Sequence, residues 1–301
     1  MTILLKRKNL NSRKKEGVRT LGKFIDFKGY KLFLRDEGAG QDTILVHGFP
    51  DHSENLNRLF EGLSPKQRVI AFDRLGSGRS DKPEKPYGLS DSVEELNQLW
   101  EQLELNPMVL IGHSIGGTIS TLYAARFPKR VRALILINPA LKDFKIQTGM
   151  GYLGAWFLRK PLIGEIMLKF QNRFSTKQCL KLAFYKKTKI SDELVDSYHF
   201  PFYTQGGKRS YIREMRAIYE ILDDQILSHI DQVKNEKIPV LLVWTEKDWS
   251  MPLTDGREFS KRFGSRLHTV PECGHSPHLE LDDLRLMRDL IAPIQDFLNK
   301  I

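Results

Sequence analysis

Six short apolar runs, spread along the chain, constrain its fold more than any other feature. Each is five or six residues long and rich in branched aliphatic side chains. A strand with one face in water alternates apolar and polar residues, whereas these runs are largely continuous, so both faces should be covered. That pattern is typical of a parallel sheet. The predicted strands are 43–47, 68–72, 108–112, 133–138, 240–244 and 266–270.

Helical and hairpin patterns fill the intervals between these runs. The segment before the first run predicts a β-hairpin that turns at Lys28-Gly29. Helices are expected over 89–103, 115–127 and 259–263, and near the C-terminus a helix should begin at Asp282 and be kinked by Pro293. The sequence therefore predicts the α/β class: a mostly parallel sheet flanked by helices.

One interval is too long for a single crossover helix. About a hundred residues separate the strands that end at 138 and begin at 240, several times the usual connection. The interval is rich in helix formers and aromatic residues, as in "GYLGAWFLRKPLIGEIMLKF". We expect a helical cap over 141–235, inserted in a core made of 21–140 and 236–301.

Charge is concentrated at the N-terminus. The net charge of the 301 residues is +10, and residues 1–23 contain eight basic residues against one acidic residue. The prediction is a flexible basic arm over 1–20, with weak contact to an anionic surface as the alternative. No nucleic-acid-binding signature accompanies it.

Location and thiol chemistry follow from what the sequence contains. The apolar runs are too short to span a membrane, and "MTILLK" is too short for a secretory signal. We therefore expect a cytoplasmic protein, with association at a membrane surface as the alternative. Cys179 and Cys273 have no disulfide or zinc spacing and should be free thiols. The sequence does not decide the oligomeric state.

Chemically useful side chains follow four of the predicted strands. The first strand runs into the turn His47-Gly48-Phe49-Pro50, and the third runs into Ser114. The last two run towards Asp248 and His275. Because ligands gather at the carboxyl ends of parallel strands, we expect these groups at one edge of the sheet.

The chain resembles the α/β-hydrolase family, in its branch with a helical cap. The resemblance rests on "HGFP", "FDRLGSGRSDKP", "GHSIGG", "WTEKD" and "GHSPHLE", in that order and each after a strand. It covers nearly the whole chain from about residue 21. The order Ser, Asp, His is the order of this family's catalytic triad, and the eight-stranded hydrolase sheet is the fold that the resemblance implies.

The resemblance assigns a role to each group. Ser114 would be the nucleophile, His275 its base, and Asp248 the carboxylate that orients the imidazole. Backbone N–H groups of Phe49 and Ile115 would form the oxyanion hole. The alternatives weighed for the acid and the base, less well placed after their strands, are Asp143, Glu246, His268 and His278.

The type of nucleophile limits which reactions of the family this chain can catalyse. Dehalogenases and epoxide hydrolases share the surrounding motifs but use aspartate where this chain has Ser114, so acyl transfer is expected and a carboxylic ester is the predicted substrate. Hydrolases of C–C bonds usually have asparagine before the serine and an aromatic residue after the histidine, where this chain has His113 and Ser276. C–C hydrolysis, lactonase or perhydrolase activity, and a non-catalytic ligand-binding protein remain alternatives. No metal or organic cofactor is predicted, because the histidines have no metal-binding spacing.

The cap should roof the site and line an apolar pocket for a small to medium ester. Two other interpretations of its apolar residues are the cap's own core and a surface that meets lipid. The candidate pocket residues are His113, Trp156, Tyr198, Tyr203, Tyr211, Trp249 and His278.

Overall fold

The sheet contains eight strands, and only its first hairpin departs from the parallel arrangement. The computed structural model describes residues 22–84, 88–142, 157, 160–218 and 223–301. The sheet order is β1-β2-β4-β3-β5-β6-β7-β8. The second strand runs antiparallel to both of its neighbours, and every other pairing is parallel. The strands are Lys23–Phe27 (β1), Tyr30–Glu37 (β2), Asp42–Val46 (β3), Arg68–Phe72 (β4), Met108–His113 (β5), Val131–Ile137 (β6), Val240–Thr245 (β7) and Arg266–Val270 (β8).

Helices cover both faces of the sheet and make up most of the described part of the long interval between β6 and β7. Within the described residues none is long and apolar enough to cross a membrane. The helices are Asn57–Leu63 (α1), Leu89–Gln102 (α2), Ile115–Arg126 (α3), Ile163–Lys169 (α4), Arg173–Ala183 (α5), Asp192–Tyr203 (α6), Gly207–Ile218 (α7), Asp223–Asn235 (α8), Leu253–Phe263 (α9), Pro277–Glu280 (α10), Asp283–Leu286 (α11) and Ala292–Leu298 (α12).

Two apolar layers, one on each face, explain why the strands are apolar throughout. In β3, Ile44 packs into one core cluster and its neighbour Leu45 into the other. Leu110 and Ile111 of β5 divide in the same way. Successive side chains of a strand point to opposite faces, so continuous apolarity is what a doubly covered strand requires. The predicted α/β class is confirmed.

The predicted hairpin turn at Lys28-Gly29 and the predicted kink at Pro293 each have a local backbone cause. Lys28 and Gly29 both have positive φ, 50° and 83°, as a two-residue hairpin turn of matching twist requires. Near the C-terminus, Pro293 has no N–H for the carbonyl of Asp289, and a π-helical turn over Met287–Ile291 precedes it. His268 Nε2 donates to that carbonyl at 2.8 Å, so this histidine, an alternative for the catalytic base, has a structural partner.

The helices between β6 and β7 divide into two groups. α4 to α7 pack on one another around small apolar clusters that include Leu168, Phe202 and Leu180. α8 instead packs on α3 and adds Ile226 and Ile230 to the main core. The interval predicted as a cap, 141–235, therefore contains one helix that packs with the sheet. The predicted basic arm, 1–20, lies outside the described residues, and the division into arm, core and cap stays a prediction.

Candidate active site

Ser114 occupies a sharp turn between β5 and α3. Its φ of 54° and ψ of −123° lie outside the ordinary regions for a side-chain-bearing residue, a conformation that costs roughly 1–3 kcal/mol. Its N–H donates to the carbonyl of Ile137 at 3.0 Å, and its own carbonyl accepts from Gly117 at 2.9 Å and from Ala140 at 3.1 Å. Backbone bonds to neighbouring segments thus hold the strained residue in place.

The two glycines that flank Ser114 are required by close packing. A Cβ at Gly112 would lie 2.4 Å from the carbonyl oxygen of Gly116, and a Cβ at Gly116 would lie 2.1 Å from that of Val46. Real Cβ atoms do not approach backbone oxygen so closely. The glycines of "GHSIGG" therefore let the first turn of α3 press against the end of β3, and this contact presents Ser114.

Asp248 and His275 form a close pair at the ends of β7 and β8. His275 Nδ1 donates to Asp248 Oδ2 at 2.6 Å. The other carboxylate oxygen accepts from Ser250 N at 2.9 Å, Ser250 Oγ at 2.7 Å and Met251 N at 3.0 Å. Because Nδ1 is engaged, Nε2 is the ring nitrogen through which His275 can exchange a proton with a hydroxyl.

The pair shifts the pKa of both partners. Burial alone would raise the pKa of Asp248, but the charge of His275 and the hydrogen bonds to the carboxylate outweigh burial and lower that pKa. Burial alone would lower the pKa of His275, but the charge of Asp248 and its hydrogen bond raise it above 6.5. Asp248 is therefore ionised at neutral pH, and its charge stabilises the protonated form of His275 that proton transfer from a hydroxyl would produce.

The turn after β3 is braced so that one peptide group has a fixed orientation. The carbonyl of Gly48 accepts from Arg74 Nη2 at 3.0 Å and from His47 Nδ1 at 2.8 Å, while His47 Nε2 accepts from the backbone N–H of Arg74 at 3.0 Å. In a trans peptide the N–H points opposite to the carbonyl, so these bonds fix the direction of the Phe49 N–H. A Cβ at Gly48 would lie 3.0 Å from Ser114 Cβ, which places this turn directly against the serine.

A cavity of about 330 Å³ lies between the sheet edge and the helices α4 to α7. His275, Ser276 and the turn Gly48-Phe49-Pro50 contribute to one side, and mostly apolar side chains of the helices line the other. Three of the predicted pocket residues, His113, Tyr198 and Tyr211, line it. Other lining residues are Asp51, Met167, Leu168, Gln171, Thr176, Cys179, Leu180, Ala183, Phe184 and Phe202.

Three predicted pocket residues, Tyr203, Trp249 and His278, do not line the cavity, and the first two are exposed. Tyr203 is 72% exposed at the end of α6 and packs edge-on against the ring of His199. Trp249 is 41% exposed in the loop after Asp248. All three assignments to the pocket are therefore corrected. Trp156 lies outside the described residues.

A model of the alpha/beta hydrolase fold family matches residues 44–281 of this chain. The chain belongs to the α/β-hydrolase fold family. The family supports a hydrolase, in agreement with the broad class expected from the sequence motifs.

Relatives of this α/β hydrolase differ in the reaction that they are named for. The cis-3-alkyl-4-alkyloxetan-2-one decarboxylase of Shewanella oneidensis is 28% identical over 273 residues, 84% of this chain and 81% of that protein. The 2-hydroxy-6-oxo-2,4-heptadienoate hydrolase of Pseudomonas putida is 26% identical over 279 residues, 90% of this chain and 96% of that protein. The crystal structure of a mutant meta-cleavage product hydrolase has a TM-score of 0.76 at 22% identity, covering 93% of this chain and 98% of that one. The bond that this hydrolase cleaves must therefore be argued from its own site.

His113 and Asn138 fix the backbone of His275 in this hydrolase. The carbonyl of His275 accepts from His113 Nε2 at 2.9 Å and from Asn138 Nδ2 at 2.9 Å. Asn138 also bonds the backbone N–H and the hydroxyl of Thr245 at the end of β7. Asn138 was not expected as a site residue. Its position at the end of the apolar run that forms β6 is the sequence signal that points to it, and the structure gives it a φ of 41°.

Three buried side chains next to the active site could hold a metal ion. One ligand atom each from Asp51, His113 and His278 lie within 4.8 Å of one another. Burial lowers the pKa of His113 to about 3 and that of His278 well below its ordinary value, so both rings are neutral at neutral pH. His278 does not line the cavity but packs edge-on against His113, with ring centroids 4.7 Å apart. The absence of a metal, expected from the sequence, stays a prediction.

A buried ion pair joins the loop after β4 to the cap. Arg74 and Glu214, the latter in α7, form a salt bridge although their side chains are only 1% and 7% exposed. The Nη2 atom of Arg74 in that bridge also bonds the carbonyl of Gly48. No local pattern predicts this pair, because its two residues are far apart in the chain and meet only through the tertiary fold.

Proposed function

We propose that this protein is a serine hydrolase that cleaves carboxylic esters of small to medium apolar substrates through an acyl-enzyme. One observation carries the proposal: a serine occupies the strained turn at the sheet edge that also holds the His275–Asp248 pair. A serine oxygen that attacks a carbonyl yields an acyl-enzyme, whereas the aspartate of related dehalogenases would yield an alkyl ester.

The proposed cycle uses each group once in acylation and once in deacylation. His275 Nε2 takes the proton of Ser114 as its oxygen attacks the ester carbonyl, and the N–H groups of Phe49 and Ile115 stabilise the oxyanion. Collapse of this intermediate breaks the bond to the alcohol, which leaves with the proton from His275. A water molecule then repeats the sequence on the acyl-enzyme and releases the acid.

Labelling by a fluorophosphonate probe tests the nucleophile. We expect the wild-type protein to be labelled and Ser114→Ala to lose labelling. Ser120→Ala is the matched control, because Ser120 is buried in the same helix and its hydroxyl already bonds the carbonyl of Gly116 at 2.7 Å. Equal labelling of the wild type and Ser114→Ala would refute the serine mechanism.

A C–C hydrolase is the second candidate, favoured by the Pseudomonas putida relative. That relative is named for a dienoate, which is an anion, whereas no lysine or arginine of the described chain lines the cavity. An apolar neutral ester suits these walls better. Parallel assays on aryl esters of graded chain length and on a 6-oxo-dienoate separate the two: faster hydrolysis of the dienoate would replace the ester proposal.

A further inference from the structure

The first helix of the cap that the structure describes exposes apolar side chains along one face. Leu162, Ile166 and Phe170 follow one another at intervals of four residues and are 76%, 52% and 75% exposed. Ile163 lies beside them, and Phe174 at the start of α5 is 71% exposed. Side chains spaced by four residues share one side of a helix, so Leu162, Ile166 and Phe170 lie along one side of α4 and its two ends. These five exposed residues are here called the cap patch. Exposed apolar patches of this kind mark interaction sites.

The chain segment that contains the cap patch is rich in positive charge. Residues 160–189 contain eight lysines and arginines and one acidic residue, Glu165. Glu165 pairs with Arg216, and two of the basic residues pair with aspartates of α6. Within the described residues five further lysines of this segment form no ion pair: Lys169, Lys181, Lys186, Lys187 and Lys189. Apolar residues accompanied by basic residues are the combination that binds a membrane interface with anionic lipids.

The cap patch continues into the cavity. Met167, in the middle of α4, is 37% exposed and also lines the cavity. Cys179 of α5 is likewise exposed and lines it. Met167 and Cys179 therefore link the exposed side of these helices to the cavity that His275 also lines.

We propose that the cap patch docks this protein on the surface of an anionic membrane. Its apolar side chains enter the boundary between headgroups and acyl chains, and the lysines of the same segment contact anionic headgroups. In that orientation the cavity faces the membrane and takes amphiphilic single-chain esters from it. This last step rests on the proposed esterase function, whereas the docking does not.

Flotation with lipid vesicles tests the docking. Full-length wild-type protein should float with vesicles of phosphatidylcholine and phosphatidylglycerol, and far less with phosphatidylcholine alone. The variant Ile166→Glu/Phe170→Glu should weaken binding to the anionic vesicles by at least tenfold. Leu284→Glu is the matched control, because Leu284 is 86% exposed but belongs to α11, outside the cap. This variant should bind the vesicles as the wild type does.

Two further measurements separate folding and catalysis from docking. The double variant should keep its thermal transition and its hydrolysis of a water-soluble short aryl ester, because neither Ile166 nor Phe170 lines the cavity. Ser114→Ala should float like the wild type. If Ser114→Ala floats with the vesicles and neither the wild type nor any variant cleaves an ester, the docking proposal stands and the proposed function fails.

Three results would overturn the docking proposal. The first is wild-type protein that stays unbound in the presence of anionic vesicles. The second is equal binding of the double variant and the wild type, including the case in which deletion of residues 1–20 alone abolishes binding and so assigns the contact to the basic arm. The third is light scattering in which the double variant converts a dimer to a monomer without any vesicle binding, which would make a second copy of the chain the occupant of the cap patch.

Discussion

At the scale of single residues, the environment of Asp248 sets the acid–base behaviour of the site. The carboxylate is buried, yet four donors from His275, Ser250 and Met251 hold it in its charged form. Its charge in turn stabilises the imidazolium of His275 and raises that pKa. The residue that orients the base therefore also sets the pH range in which the base can act.

A pH profile of the rate tests this coupling. Protonated His275 cannot accept the proton of Ser114, so kcat/KM should fall as the pH is lowered through a pKa above 6.5. Asp248→Asn removes the charge that raises this pKa, so the fall should move to lower pH while the plateau drops by about 10⁴-fold. Hydrolysis of an aryl ester between about pH 5 and 9 measures both effects.

A variant that keeps the charge provides the control. Ser250→Ala removes one hydrogen bond to Asp248 and the 3.3 Å contact of the same hydroxyl with His275 Nδ1. It leaves the carboxylate beside His275, so the acid limb of its pH profile should stay closer to that of the wild type than the acid limb of Asp248→Asn. An Asp248→Asn profile with an unmoved acid limb would show that Asp248 does not control His275.

At the scale of elements, local sequence explains the sheet, but not which cap side chains reach the cavity. Each buried strand carries its own apolar signal; Ser114 follows β5 directly, and Asp248 lies three residues beyond β7. His275 lies in the loop after β8, an edge strand of which only Val270 is buried. Tyr198 and Tyr203 are five residues apart in α6, so their side chains point about 140° apart around the helix axis and cannot both line one cavity. Only the packing of α6 on its neighbours decides which of the two does.

Local sequence likewise does not reveal the pair formed by Arg74 and Glu214. Its contribution to stability and to catalysis can be measured. Glu214→Ala removes the carboxylate that pairs with the buried guanidinium of Arg74, so the free energy of unfolding should fall by about 3–5 kcal/mol. Because Arg74 also holds the carbonyl of Gly48, kcat should fall more than KM rises. Urea unfolding and steady-state kinetics give the two values.

An exposed pair of the cap serves as comparison for that loss of stability. Asp196→Ala breaks a salt bridge with Arg173 between side chains that are 62% and 49% exposed, and should leave the free energy of unfolding nearly unchanged. If Glu214→Ala unfolds at the same urea concentration as Asp196→Ala, the buried pair is not a structural link between the cap and the loop after β4.

At the scale of the whole molecule, charge and catalytic machinery occupy different parts of the chain. Residues 1–23 account for +7 of the net charge of +10, which leaves only +3 for the other 278 residues. The groups assigned to the reaction all lie between His47 and His278, within the region that the family model matches. The charge of the arm and the catalytic chemistry should therefore be separable by truncation, and the cytoplasmic location stays a prediction.

Deletion of residues 1–20 should leave kcat/KM for a water-soluble short-chain ester within twofold of the wild type. The described β1 begins at Lys23, so the truncation keeps the hairpin and every contact described for the site. Thermal unfolding of the truncated protein should match that of the full chain, which excludes a loss of fold as the cause of any change. A loss of activity above tenfold in a folded truncated protein would show that the arm contributes to the active site.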